Sequence, residues 1–150
     1  MAWANGKKPD HWSTHRLLST AARLDERRIN RCLSGLGLTK ASFDALDSVA
    51  ETGPFTQSGL ADQLGVTPQS LGKVLERLKE LGLLTKERGS VDGRCRSIRL
   101  TQRGRSVLRT ADELVRGIPR PDAAAEAELR RHLSRHIDHL MEGEDRARHA

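Results

Sequence analysis

The sequence contains no tyrosine, and its aromatic residues are limited to two tryptophans and two phenylalanines. Proteins that bind single-stranded nucleic acid usually stack the bases on several aromatic rings, so this scarcity disfavours that class. The two cysteines, Cys32 and Cys95, lie far apart and outside any Cys-x-x-Cys pattern. A disulfide framework and a structural zinc site are therefore not predicted.

Long apolar runs are also absent. No stretch of about 18 apolar residues occurs, so the sequence predicts no transmembrane helix. The N-terminal residues lack the apolar core of a secretory signal, and we therefore expect a cytoplasmic protein. A nucleophile elbow, a P-loop, a dinucleotide fingerprint and a metal-ligand motif are missing as well. We accordingly expect no enzymatic activity, no cofactor and no bound metal.

Positive charge is concentrated in one segment of the chain. Residues 67–105 contain ten Lys or Arg and four Asp or Glu, whereas the other 111 residues contain sixteen of each sign. The net charge of +6 therefore belongs to this segment. A protein that neutralises phosphates with Lys and Arg releases condensed counterions from DNA, which favours binding. The pattern predicts a surface for double-stranded DNA in residues 67–105.

Apolar residues recur at helical spacing through most of the chain, and capping residues divide this pattern into separate elements. Ser and Thr side chains can accept hydrogen bonds from the free N–H groups of a helix start, and the predicted caps are Thr39, Ser58, Thr67 and Thr101. The predicted elements are helices over about 12–36 and 40–51, a short helix ending at Gly65, a helix over 68–81, strands over 83–87 and 95–100, a helix after Thr101 and a helix over 122–141.

The helix over 68–81 has the clearest boundaries. Thr67 is its predicted N-cap, Pro68 occupies the first helical position, and Gly82 follows the last turn. A leucine and valine stripe faces inward, which leaves on the outer side Gln69, Ser70, Lys73 and Arg77. The Gln69 amide is suited to reading adenine, whereas the point charge of Lys73 is suited to phosphate. These features predict a recognition helix.

The segment after this helix has a distinctive motif. Asp92 and Arg94 are followed by a strand and then by a Leu-Thr-x-x-Gly pattern formed by Leu100, Thr101 and Gly104. Together with LKELGLL at 78–84 and the order of the predicted elements, this motif resembles the MarR (multiple antibiotic resistance regulator) family of bacterial repressors.

The resemblance implies a mainly α fold with a small β-hairpin. In that fold a winged helix-turn-helix is joined to N- and C-terminal helices that form a dimerisation arm. For this chain it implies a single domain over 1–150, with dimerisation helices at about 12–36 and 101–141 and a DNA-binding lobe at about 39–100.

The resemblance also implies roles in DNA binding. Arg94 resembles the family's minor-groove arginine, and Asp92 resembles the acid that holds that arginine in place. Members of the family are dimers, so the implied operator is a pseudo-palindrome whose half-sites lie about one helical turn apart. The predicted DNA contacts are Thr67, Pro68, Gln69, Ser70, Lys73, Arg77, Lys86, Arg88, Asp92, Arg94 and Arg96.

Members of the family typically bind small aromatic or phenolic anions in a crevice between the dimerisation arm and the DNA-binding lobe. By this resemblance the protein is a ligand-responsive repressor that binds its operator as a homodimer. The residues that can provide stacking and charge for such a ligand are Trp12, His15, Arg16, Phe43 and Asp44. Simple packing of the arm junction is the other interpretation of these residues.

Two alternative functions stay open at this point. Cys95 lies between Arg94 and Arg96, which favour its thiolate, and an oxidised sulfur there would add bulk at the DNA contact. This arrangement gives a redox-responsive regulator as one alternative. The other is a winged helix that serves as a protein-interaction scaffold without a ligand, although the basic charge of residues 67–105 disfavours it.

Three histidines, His132, His136 and His139, share one face of the last predicted helix. Their spacings of four and three could chelate a transition metal, but no cysteine or further carboxylate accompanies them. A solvated flank of the dimerisation arm is the preferred interpretation.

Overall fold

The computed structural model of the chain describes residues 9–53, 55–88 and 96–148. These residues form six α-helices and one antiparallel hairpin, which confirms the predicted mainly α chain with a small hairpin. The elements are α1 (Thr14–Leu33), α2 (Lys40–Thr52), α3 (Gln57–Leu64), α4 (Pro68–Glu80), β1 (Leu84–Arg88), β2 (Arg96–Leu100), α5 (Gln102–Arg116) and α6 (Ala123–Arg148), with short 3-10 turns at Pro9–His11 and Ser34–Leu36. The chain divides into two compact units, Met1–Gly117 and Ile118–Ala150.

Threonine caps begin three of the helices as predicted. The Thr39 hydroxyl accepts a hydrogen bond from the backbone N–H of Ser42, and Thr67 and Thr101 cap α4 and α5 in the same way. Each cap satisfies one of the N–H groups that a helix start leaves without an internal partner. The local sequence therefore determines where α2, α4 and α5 begin.

The predicted cap of α3 was wrong. The helix begins at Gln57, so Ser58 lies inside its first turn and Thr56 occupies the capping position. The Thr56 hydroxyl accepts from the Gly59 N–H at 3.1 Å. Ser and Thr are both good caps, and the sequence alone did not distinguish two such residues separated by one position.

The core of the first unit consists mainly of leucines from α1 to α5 and the hairpin. The fully buried larger side chains are Leu33, Leu46, Leu60, Leu75, Leu78, Leu84 and Ile98. At the edge of this core, the Asn30 side-chain oxygen accepts a hydrogen bond of 2.6 Å from the backbone N–H of Lys40. This bond joins the end of α1 to the start of α2.

The hairpin is attached to the rest of the unit at its base. Leu84 pairs with Leu100 and Lys86 with Ile98 across the two strands. The Ile98 N–H also donates to the Phe55 carbonyl at 2.7 Å. Phe55, which precedes α3, thereby forms an isolated antiparallel bridge with β2. The side chains of Leu84 and Ile98 are buried in the core of the first unit. The packing of the core therefore holds the base of the hairpin in place.

Helix α6 is longer than predicted. The apolar stripe that defined it ends near Met141, but the helix continues to Arg148. Residues 142–148 have no apolar stripe to reveal this extension, yet they include good helix formers, and Glu142 pairs with Arg146 at 3.2 Å one turn apart. The exposed large apolar side chains of α6 are Leu129, Leu133, Ile137, Leu140 and Met141.

One carboxylate at the helix junction is in an unfavourable environment. Partial burial raises the pKa of Asp47 above its ordinary value of 3.8, and the nearby carboxylates of Glu51, Asp112 and Asp44 raise it further. Arg116 acts in the opposite direction. Because the folded chain binds the Asp47 proton more tightly than the unfolded chain does, this group destabilises the fold as pH rises above the ordinary value.

We therefore expect Asp47→Asn to raise the midpoint of thermal unfolding at neutral pH. The difference in unfolding midpoint between the variant and the parent should be small near pH 4. It should increase with pH until Asp47 is fully ionised. Thermal unfolding followed by circular dichroism across this pH range measures the effect, and Asp62→Asn, at an exposed position of α3, is the control. A variant less stable than the parent at neutral pH would contradict the expectation.

Candidate nucleic-acid interface

Helix α4 has two distinct faces. Leu71, Leu75 and Leu78 are buried against the core, because a leucine recurs every three or four residues along the helix. The opposite side is exposed, and its polar members at the predicted positions are Gln69, Ser70, Lys73 and Arg77. The structure thus places all four side chains where a DNA groove could reach them.

The first turn of α4 is held from two directions. The Thr67 hydroxyl donates to the Ser70 hydroxyl at 2.9 Å and accepts from the Ser70 N–H at 3.1 Å. From α3, the Gln57 amide nitrogen donates to the Pro68 carbonyl at 2.9 Å. The start of a helix favours an anion through its free N–H groups and its dipole. This turn is therefore a fixed, exposed position for a phosphate or a base edge.

Further along α4, cations and acids alternate on the exposed side. Arg77 pairs with Glu80 at 3.4 Å, and both side chains are largely exposed. Such pairs on a surface are weak, so Arg77 keeps the freedom to turn toward a phosphate.

The Lys86 side chain is largely buried, although its charge alone would predict an exposed position. Its ammonium lies 2.6 Å from the Glu76 carboxylate, and its side chain is only 11% exposed. Side chains alternate between the two faces of a strand, so Lys86 shares a face with buried Leu84. The predicted DNA contact of Lys86 rests on its charge alone and stays a prediction.

The outer part of the hairpin is described only at its two ends. Arg88 and Arg96 are paired across the strands. Asp92, Arg94 and Cys95 lie outside the described residues. Their predicted roles in the minor groove and in redox sensing stay predictions.

The predicted ligand residues form two groups. Arg16 packs over the Trp12 ring, with its guanidinium carbon 4.0 Å from the ring centroid, and His15 beside it is exposed. Phe43 and Asp44 are half-buried on α2, and Asp44 pairs with Lys40. About four turns of α1 separate Arg16 from Asn30, the residue that contacts the start of α2. Within one chain the two groups therefore lie toward different ends of α1.

Two cavities of the first unit are large enough to be considered as ligand sites. One, of about 390 Å³, lies between α2, β2 and α5 and is lined by Val49, Ala50, Gly53, Ile98, Arg99, Leu100 and Arg105. The other, of about 120 Å³, lies between α2, the end of α3 and α4 and is lined by Ala41, Asp44, Leu64, Val66, Ser70, Leu71 and Val74. Of the predicted ligand residues, Asp44 lines the smaller cavity, and the other four line neither of the two.

The larger cavity is lined by two arginines that the sequence pattern does not reveal as site residues. Arg99 pairs with Glu87 at 3.4 Å, and Arg105 donates to the Leu100 carbonyl at 3.3 Å. Both residues counted only as part of the basic segment, because nothing in the local sequence indicates that a strand and a helix bring them to one cavity. The apolar walls beside these cations suit a small aromatic anion.

The histidines of α6 do not converge on a metal site. His132 and His139 are exposed, His136 is half-buried, and His132 lies 3.7 Å from the Glu128 carboxylate. Within residues 9–53, 55–88 and 96–148, no group of three or more His, Cys, Asp or Glu side chains is arranged to hold a metal ion. Among the helices of this same part of the chain, none is long and apolar enough to cross a bilayer.

Known proteins resemble this chain in sequence and in structure. Residues 36–94 match the model of the MarR family. The HTH-type transcriptional repressor Rv2887 of Mycobacterium tuberculosis is 30% identical over 114 residues, which cover 76% of this chain and 80% of that protein.

Solved structures agree with this match. The M. tuberculosis MarR family protein Rv2887 in complex with DNA has a TM-score of 0.68 at 26% identity, with 82% of this chain and 96% of that chain covered. Its complex with salicylic acid has a TM-score of 0.68 at 27% identity, with 85% of this chain and 98% of that chain covered. A mutant of Escherichia coli MarR, at 24% identity, shares the fold with a TM-score of 0.72 over 83% of this chain and 96% of its own.

Proposed function

Because this chain belongs to the MarR family of DNA-binding transcriptional regulators, we propose that it is a repressor that releases its operator when it binds a small aromatic acid. The operator is a pseudo-palindrome that the protein binds as a homodimer. The protein acts in the cytoplasm, and we propose no catalytic role for it.

The two faces of α4 are the observation that carries the DNA-binding part of this proposal. The leucine face fixes the helix on the core, and the polar face at its start is exposed and free of acidic side chains. In the major groove, the Gln69 amide can pair with both hydrogen-bonding groups of an adenine edge. Lys73, one turn later, can reach a phosphate, and the Thr67 to Ser70 turn can hold another.

Exposed apolar side chains support the homodimer. Leu17 and Leu24 on α1 and Leu114 on α5 are each about 40% exposed, and most of the stripe on α6 is more exposed still. A single chain leaves this apolar surface in water, and a second copy related by a two-fold axis would cover it. The same axis would place two α4 helices in successive major grooves, one helical turn apart.

Selection of genomic DNA fragments by the purified protein tests the operator. We expect the recovered fragments to share a pseudo-palindrome with half-sites one turn apart. Fragments without a shared motif would contradict sequence-specific binding, and a single unrepeated half-site would contradict binding as a symmetric dimer.

The effector proposal rests on relatives and on the larger cavity. Rv2887 has been solved with salicylic acid and with p-aminosalicylic acid. In this chain, the cavity between α2, β2 and α5 offers Arg99 and Arg105 to a carboxylate and Val49 and Leu100 to a ring. We therefore propose this cavity, rather than the Trp12 and Arg16 region, as the place where the acid binds.

We expect Arg105→Ala to raise the salicylate concentration needed for half-release of the operator by about tenfold, because a charge-assisted hydrogen bond is lost. Fluorescence anisotropy of a labelled operator, titrated with salicylate, measures this. Trp12→Ala is the matched control and should keep the parental response. If Trp12→Ala weakens the response to salicylate and Arg105→Ala does not, the acid binds near α1 instead. If the parent protein does not respond, salicylate is not a ligand of this protein.

A further inference from the structure

Glu76 lies on the side of α4 that faces DNA in the proposed function. It follows Gln69 by seven residues and Lys73 by three, and an α-helix places such residues on one face. The Glu76 side chain is more than half exposed. An uncompensated carboxylate on this face would repel the phosphates that Lys73 is proposed to contact.

The Glu76 carboxylate is compensated by cations from its own helix and from the hairpin. One oxygen lies 2.6 Å from the Lys86 ammonium on β1, and the other lies 3.9 Å from the Lys79 ammonium on α4. Of the two cations, Lys86 is the closer and by far the better covered. Its coverage favours a persistent ion pair over the fluctuating pairs that are usual on surfaces.

The Glu76–Lys86 pair also connects two elements that must act together on DNA. In the proposed function α4 enters the major groove, and β1 follows α4 directly in the chain. Lys86 is the partner of Ile98 across the hairpin, and Ile98 is buried in the core. The pair thus joins the DNA-facing side of α4 to the base of the hairpin.

We propose that Lys86 is a positioning residue that acts on DNA through Glu76 instead of contacting a phosphate. It cancels the charge of Glu76 on the DNA-facing side of α4, so that the carboxylate does not repel the phosphates beside it. This inference rests on the proposed DNA-binding function, and operator binding by the parent protein is the reference for its test.

The test combines Lys86→Met, Glu76→Gln and the double variant in a double-mutant cycle on the duplex selected from genomic fragments. Lys86→Met keeps most of the apolar stem and leaves Glu76 without its closer cation, so we expect about tenfold weaker binding. Glu76→Gln removes the repelling carboxylate and leaves an amide oxygen that can still accept from Lys86, so this variant should bind at least as tightly as the parent. The double variant has neither charge and should return to within about twofold of the parent.

Salt dependence separates this role from a direct contact. Lys73→Ala is the matched control, because loss of one phosphate contact lowers the slope of log affinity against log salt by about 0.9. Lys86→Met should weaken binding and also lower the slope, because salt screens the repulsion between Glu76 and the phosphates. The double variant should recover the parental slope, whereas loss of a direct phosphate contact would leave the slope low in the double variant as well. The proposal is overturned if the double variant stays as weak as Lys86→Met, if the slope of the double variant stays as low as that of Lys73→Ala, or if Lys86→Met binds like the parent. Thermal unfolding confirms that each variant is folded.

Discussion

Replacing Gly104 with alanine is expected to destabilise the first unit by about 3 kcal/mol or more and to abolish operator binding. A Cβ atom at this position would lie 1.9 Å from the Leu83 carbonyl oxygen and 2.9 Å from the Leu83 carbonyl carbon. Both are backbone atoms, so the collision cannot be relieved by rotating a side chain. The start of α5 would have to move away from the residues that enter the hairpin.

The surrounding bonds explain why this movement would affect DNA binding. The Leu83 carbonyl accepts from the Thr101 N–H at 3.1 Å, and the Thr101 hydroxyl donates to the Gly82 carbonyl at 2.7 Å. These bonds connect the end of α4, the base of the hairpin and the cap of α5. A shift of α5 therefore changes the position of α4 relative to the hairpin.

Thermal unfolding and operator titration measure the two effects of Gly104→Ala. A typical domain has a free energy of unfolding of roughly 5–15 kcal/mol, and the substitution is expected to remove a large share of it. The variant should therefore be prepared and assayed at low temperature. Gly143→Ala is the control, because a Cβ there meets nothing within 4 Å and alanine favours a helix. A Gly104→Ala protein that melts and binds like the parent would contradict the close packing of α5 on Leu83.

The second large effect is expected from Ile137→Asp in α6, which should convert the protein to a monomer. Ile137 is 57% exposed in the single chain and lies between Leu133 and Leu140 on the apolar stripe. A dimer would bury an aspartate there without a partner, at a cost that the interface cannot offset. With one half-site bound per protein, operator affinity should fall by about 100-fold or more.

Sedimentation equilibrium and operator titration test this variant together. Arg135→Asp introduces the same side chain on the opposite side of α6 and should leave the dimer intact. A monomeric Ile137→Asp protein with parental operator affinity would refute cooperative binding of two half-sites. A dimeric one would show that the stripe on α6 is not the interface.

The parts of the fold that could be predicted depend on local interactions. The boundaries of α4 follow from the Thr67 cap, the Pro68 ring and Gly82, each of which acts within one turn. The outer residues of α4 follow from helical periodicity in the same way. An error occurred where two local signals compete, as with the caps Thr56 and Ser58. The low exposure of Lys86 was not visible either, because it depends on which face of β1 packs against the core.

The candidate ligand site could not be predicted because it depends on distant parts of the chain. Val49 on α2, Arg99 on β2 and Arg105 on α5 line one cavity although more than fifty residues separate the first from the last. Only the packed core brings these elements together. The ligand residues predicted from the sequence were aromatic and charged ones, because such residues are visible one at a time, and they stay a prediction: Trp12, His15, Arg16, Phe43 and Asp44.

The separation of the two faces of α4 has a consequence for how operators diverge among related regulators. The leucines that hold the helix on the core and the polar residues proposed to read DNA share no positions. Substitutions at 69, 70 and 73 leave the packing of Leu71, Leu75 and Leu78 unchanged, so they alter base preference at little cost to folding. After a gene duplication, one copy can therefore acquire a new target sequence through a few surface changes while the inherited scaffold stays intact.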